Sequence, residues 1–449
     1  MLTTAPKVAF SAAALRAREF SRLDAGGHAY LDYTGSALYP ESLVAAHAEM
    51  LRCNVLGNPH AENPASLASS AIMSEARRRT LAFLDADPDE YTVCFTANAT
   101  GAIAHVAAGY AFGRDDPFVL SADNHNSVNG IREYAMRAGA TVSYLPLDGA
   151  LRLDAAERRL AEHARGRGLF AFPAQSNFSG VRHPLSLVRT AQSLGYRVLL
   201  DAAALLPMTR LSLREVPADF VALSYYKMFG YPSGVGALVA RRDALAELRR
   251  PWFSGGTVDF VSVQNAAHSL QPGAAAFEDG TANFLAIAAI PAGLDYLEEL
   301  GIENIERHAT RQAGSLVEAL QDMRHRNGNP LVRIYGPESR DDCGATVAFN
   351  LLDERQTSIP FARVEERARA AGVSVRGGCF CNPGAAEAAF GFPADVTARC
   401  LASTKQRWSI ERFAECMSGY PVGAIRASFG APSNDEDRTR LLTVVGSFV

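Results

Sequence analysis

The chain has 449 residues, is 48% hydrophobic, and carries 44 Lys and Arg against 48 Asp and Glu, a formal net charge of −4. That length exceeds the roughly 250–300 residues served by a single core, so two domains are expected. A pI near 6.2 with scattered basic residues argues against nucleic-acid binding, and no uninterrupted apolar run reaches the about 18 residues of a membrane span.

In chain order, Met1 to Leu23 sets Arg16, Arg18 and Arg22 in a mildly amphipathic pattern without the apolar core of a signal peptide, so the cytoplasm is the expected compartment. Seven cysteines in such a chain read as thiols rather than a disulfide framework. From about residue 70 short apolar strands alternate with helices. Helices are expected over 74–84, 100–112, 128–138, 155–164 and 185–194, and strands over 91–95, 118–120, 141–145, 169–172, 198–200 and 234–239. This alternation implies βαβ units and a mostly parallel sheet covered on both faces, an α/β fold. After a helix near Pro291 to Gly301 the rhythm changes. Strands over 332–335, 345–351 and 424–428 and helices over 361–371 and 435–445 suggest a smaller α+β domain closing on the first. The expected division is an N-terminal segment 1–25 packing with the small domain, a large domain 26–290, and a small domain 291–449.

Three of the 44 basic residues are lysines. Lys7 and Lys405 lie in polar or terminal stretches and read as solvated. Lys227 instead ends the apolar run Ala218 to Tyr226, and 26 positions earlier Val198-Leu199-Leu200 ends at Asp201. Strand, acid, strand, lysine suits a pyridoxal phosphate site, where an amine forms a Schiff base with the aldehyde and a carboxylate keeps the ring nitrogen protonated. An Asp at a strand end also reads as a helix cap, and a Lys after a strand as a surface charge. The segments after neighbouring strands converge on the first reading, because open α/β sheets bind ligands at strand carboxyl ends. Thr96-Ala97-Asn98-Ala99-Thr100-Gly101 opens a helix with N–H groups suited to a phosphate. His125 offers a flat imidazole, and the segment Gln175 to Gly180 an amide.

These segments, with Tyr30-Leu31-Asp32-Tyr33-Thr34-Gly35-Ser36-Ala37, Gly57-Asn58-Pro59-His60, Gly255-Gly256-Thr257-Val258, Phe277-Glu278-Asp279-Gly280-Thr281 and Arg376-Gly377-Gly378-Cys379-Phe380-Cys381-Asn382-Pro383-Gly384, are carried by nearly the whole chain. Through them the sequence resembles the class V aminotransferase family of fold-type I pyridoxal phosphate enzymes, in its cysteine desulfurase and molybdenum cofactor sulfurase branch. The resemblance implies that Lys227 bonds the cofactor, Asp201 pairs with the ring nitrogen, and His125 stacks on the ring. It also implies that Asn177 reaches the phenolic oxygen, that Thr100 and Ser224 hold the phosphate with Ala99 and Tyr226 beside them, and that Thr281 reaches a neighbouring subunit's phosphate in a homodimer. Gly35, Ser36, Asn58, His60, Arg376 and Arg426 are the implied substrate contacts. Ala204 stands where simpler desulfurases carry a Gln, and Ala386 where the sulfurase branch commonly carries a third cysteine.

Two glycines and Arg376 before the Cys379 and Cys381 pair, and Pro383-Gly384 after it, suggest a flexible loop for a reactive thiolate. Core packing on a strand, or zinc held by Cys379, Cys381, Cys400 and Cys416, are the other readings; the spacing is not a standard zinc pattern. In register with the desulfurases Cys381 takes the persulfide position and Cys379 is a possible second thiol. Arg426, inside a short apolar strand, is expected to be paired or ligand-bound. The resemblance makes it the clamp for a substrate carboxylate, and a salt bridge to a glutamate is the other reading. The expected activity converts L-cysteine to L-alanine and passes sulfur to a separate acceptor protein or small molecule. A C–S lyase or aminotransferase-like enzyme acting on another amino acid or cysteine conjugate without a persulfide is the alternative, and a non-catalytic binding protein the third.

Overall fold

The structure, a computed structural model, describes residues 10–402, 410–417 and 419–449, so Lys7 and Lys405 lie outside the described residues. A first short strand, β1 (Ala29–Tyr30), precedes the strands that build the central sheet. These are β2 (Tyr91–Thr96), β3 (Pro117–Ser121), β4 (Thr141–Leu145), β5 (Gly168–Pro173), β6 (Tyr196–Asp201), β7 (Phe220–Ser224) and β8 (Gly236–Arg241). Every residue of β3, β5 and β7 is buried, the mark of strands covered on both faces. Their order is β2-β8-β7-β6-β5-β3-β4, and β8 alone runs against its neighbours. The expected mixed, mostly parallel α/β sheet is therefore present.

Beyond the sheet an exposed hairpin joins β9 (Val258–Ser262) to β10 (Ala267–Leu270). The later strands are β11 (Val332–Tyr335), β12 (Thr346–Leu351), β13 (Val373–Ser374), β14 (Arg376–Gly378) and β15 (Ala424–Ser428). A four-stranded antiparallel sheet of order β11-β12-β15-β14 forms the second layer. β1 pairs in parallel with β13 as a separate two-stranded sheet, and a bridge from Asp32 to Ser428 of β15 ties the opening segment to the four-stranded sheet. The helix Ala12–Glu19 is held there too, by buried Arg16 donating to Asp437 at 2.8 Å.

Four expectations need correction. The helix over 128–138 is two pieces, Asn126–Asn129 and Ile131–Arg137, meeting at Gly130. The 21-residue helix Ile302–Asp322 was not anticipated; its apolar side chains Ile305, Ala309, Ala313, Leu316 and Leu320 recur at helical spacing among charged residues. The cysteine segment is less of a loop than expected, since Arg376–Gly378 is a strand and Pro383 opens the helix Pro383–Phe390 capped by Asn382. Finally, Cys400 and Cys416 are joined in a disulfide, which departs from the all-thiol expectation and removes the four-cysteine zinc grouping.

Candidate active site

The carboxyl ends of β2, β5, β6 and β7 border a cavity of about 260 Å³ lined by Thr100, His125, Asn177, Asp201, Ser224, Tyr226 and Lys227, among others. Lys227 arrives there because the apolar run ends β7 at Ser224 and turns at once into the helix Tyr225–Phe229. That helix stops at Gly230, whose φ is 77° and where a Cβ would collide with Leu38. Burial lowers the Lys227 pKa, and the charges of Arg426 and Arg376 push the same way against Asp201. A buried amine with a reduced hold on its proton is a nucleophile.

Asp201 ends β6 with its carboxylate buried and Oδ1 accepting the Ala203 N–H at 3.0 Å. His125 is fixed by the Ser127 N–H donating to Nδ1 at 3.1 Å, which places the neutral ring's proton on Nε2. Burial lowers its pKa, so that neutral form is favoured. At the other end of the cavity the helix Ala99–Gly109 begins, capped by Asn98. Ser224 Oγ accepts from Ala99 N at 2.8 Å, and Thr100 Oγ1 lies 2.8 Å from Ser127 Oγ. Hydroxyls and a helix N-terminus here suit a phosphate. Amine, carboxylate, imidazole and helix end thus surround one cavity, as pyridoxal phosphate requires.

Arg426 on β15 is 2% exposed; it donates NH1 to Asn177 O at 2.8 Å and NH2 to Asp32 Oδ1 at 3.1 Å. Arg376, opposite it on β14, reaches Asp32 Oδ2 at 2.6 Å. Burial lowers the Arg426 pKa to about 10, whereas the bonds to Asp32 raise that of Arg376. The partner of Arg426 is thus an aspartate rather than a glutamate. Gly35 packs directly against this triad, where a Cβ would fall 2.6 Å from Arg376. Ser36 turns to Ala37 O.

The two cysteines differ sharply. Cys379 is partly buried, and burial pushes its thiol up to about 11. Cys381 is exposed and lies within electrostatic range of Lys227, Arg376 and Arg426. Asn177, which lines the cavity, donates Nδ2 to Phe380 O at 2.7 Å. Asn58, His60 and Thr281 are not brought to this cavity. Asn58 Nδ2 donates to Thr281 Oγ1 at 3.2 Å, and Thr281 lines a separate cavity of about 530 Å³ with Trp252 and Asp279. Sequence reasoning gave no role to Asp32 or the buried Asp123, although Asp32 directly follows an apolar strand pattern, the same signal that identified Asp201, and Asp123 lies two residues past the end of β3.

The model of the aminotransferase class V family matches residues 29–441. A molybdenum cofactor sulfurase of Arabidopsis thaliana is 35% identical over 97% of this chain and 58% of its own length. The chain spans little more than half the length of the curated relatives it matches. Among solved structures, a cysteine desulfurase of Thermococcus onnurineus superposes with a TM-score of 0.80 at 24% identity over 97% of each chain. The cystine C–S lyase C-DES, in complex with cysteine persulfide, gives 0.72 at 19% identity over 96% of this chain and all of its own, a likeness of fold. With the family model covering both sheets and the whole lysine cavity, the chain belongs to the class V aminotransferase family.

Proposed function

We propose that the chain is a pyridoxal phosphate-dependent cysteine desulfurase that converts L-cysteine to L-alanine and stores the sulfur as a persulfide on Cys381 for a separate acceptor. The observation that carries this reading is the exposed Cys381 thiol set within electrostatic reach of Lys227 and the Arg376 and Arg426 pair. When bound, pyridoxal phosphate supplies an aldehyde that bonds amines and a ring that accepts electrons. Lys227 would hold it, with Asp201 at the ring nitrogen, His125 over the ring and the Ala99–Gly109 helix start at the phosphate.

The chain's own residues then have separate tasks. Arg426 and Arg376 bind and orient the substrate carboxylate. Lys227, its ammonium form disfavoured by burial, takes a proton from the substrate carbon. The Cys381 sulfur bonds the substrate sulfur while the carbon–sulfur bond breaks; the bonding pair, with a proton, becomes part of the alanine methyl group. Burial, which pushes the Cys379 thiol up to about 11, disfavours the thiolate that this attack needs. A homodimer is supported by the position of Thr281 away from the chain's own lysine cavity, where it lines a separate cavity and accepts from Asn58 Nδ2.

The test is to load the protein with pyridoxal phosphate, add L-cysteine, and measure alanine and protein-bound sulfane sulfur. Cys381→Ser should abolish both, by at least about a hundredfold, while Cys379→Ser retains them. Alanine formed equally well without Cys381 would defeat the persulfide route, and pyruvate with free sulfide in place of alanine would favour C–S lyase chemistry.

A further inference from the structure

Phe380 and Cys381 both hold positive φ, 55° and 57°. Two successive non-glycine residues in this region persist only where their surroundings over-determine them. The surroundings here are two segments of the cofactor cavity wall. Asn126 N donates to Cys381 O at 2.7 Å, and Asn177 Nδ2 to Phe380 O at 2.7 Å. The next residue, Asn382, is wholly buried; its Nδ2 donates to Asp123 Oδ1 at 2.6 Å and to Asn177 Oδ1 at 2.9 Å, while its Oδ1 accepts from Ala385 N. Asp123 is itself wholly buried and takes further hydrogen bonds from Ser176 Oγ at 2.9 Å and His183 Nε2 at 2.8 Å. Beside it Gly384 lies so close to Ala122 O that a Cβ would collide. No other carboxylate bonds Asn382 among the described residues.

From this network we propose that Asn382 is a positioning residue whose charge-assisted bond to Asp123 latches the Cys381 turn onto the cavity wall. The thiol is thereby held beside Lys227 rather than carried on a swinging loop. This inference rests on Cys381 being the sulfur carrier. Asn382 touches neither substrate nor cofactor; it acts through the backbone on either side of Cys381. The amide of Asn177 joins the same network, so the wall that receives the cofactor and the turn that carries the thiol move together. A sulfur acceptor must then come to the exposed face of Cys381.

Two measurements test the latch. In the unaltered protein loaded with pyridoxal phosphate, the amides of Asn126, Asn382 and Ala385, which donate to Cys381 O, Cys379 O and Asn382 Oδ1, should exchange with deuterium as slowly as those of β15; exchange as fast as in an exposed turn would overturn the proposal. In Asn382→Ala, iodoacetamide should alkylate Cys381 about tenfold faster or more, the size of one lost hydrogen bond to a charged acceptor. Cys379 alkylation and the cofactor absorbance should hold, and alanine kcat should fall with KM for L-cysteine unchanged. Unaltered Cys381 alkylation in a variant that keeps the cofactor absorbance would also overturn it. Neither exchange nor alkylation depends on alanine being made, so failure of the desulfurase reading would leave the latch separately measurable.

Discussion

Asp32 is the residue on which Arg426 and Arg376 converge, with Arg426 buried and Arg376 partly exposed. One carboxylate offsets one of two positive charges, so the group keeps one net positive charge, as the proposed binding of a single substrate carboxylate requires. Removing it leaves Arg426 buried without its ionic partner, the costly way to break such a pair. Asp32→Ala should therefore destabilise the fold by about 3 kcal/mol in urea unfolding; a loss near zero would mean that Asn177 O alone satisfies the guanidinium. The same arginines bear on Lys227. Because the Arg376 charge opposes protonation of Lys227, Arg376→Gln should raise the lysine's pKa and move the pH midpoint of pyridoxal phosphate uptake upward. An unmoved midpoint would assign the lowered pKa to burial and Arg426.

At the scale of elements, the phosphate end depends on β8 meeting the start of the helix Ala99–Gly109. Gly236 makes this approach possible, since a Cβ there would fall 2.5 Å from the Asn98 backbone and 2.6 Å from Leu223 O. Backbone cannot yield as a side chain does, so Gly236→Ala should cost about 1–3 kcal/mol and weaken cofactor binding, read by urea unfolding and absorbance titration. Stability lost with cofactor affinity intact would show that the helix start is not the phosphate site. The elements themselves were legible because apolar runs and helical periodicity are local properties. The helix Ile302–Asp322 was overlooked because its buried stripe includes the polar His308 and Gln312, and the Cys turn read as a loop because Gly377-Gly378 masks a short strand that exists only through pairing with β15.

Across the whole molecule, burial lowers the pKa of His105, His125 and His308. The unfolded chain then takes up protons first, near the ordinary value of about 6.5, so stability must fall as pH drops below it. Between pH 7.5 and 6 the urea midpoint should decrease by an amount equivalent to about 1 kcal/mol; a constant midpoint would contradict the shifts. The sequence by itself determined the α/β layering, the acid and the lysine after two successive strands, and the thiol segment, because each is written in neighbouring residues. Only the tertiary structure decided that Asp32 meets Arg426 across 394 positions, that Asn382 meets Asp123 across 259, and that Cys400 bonds Cys416. Such pairings depend on how separate elements pack, and neither local propensity nor spacing records which buried polar group will satisfy which.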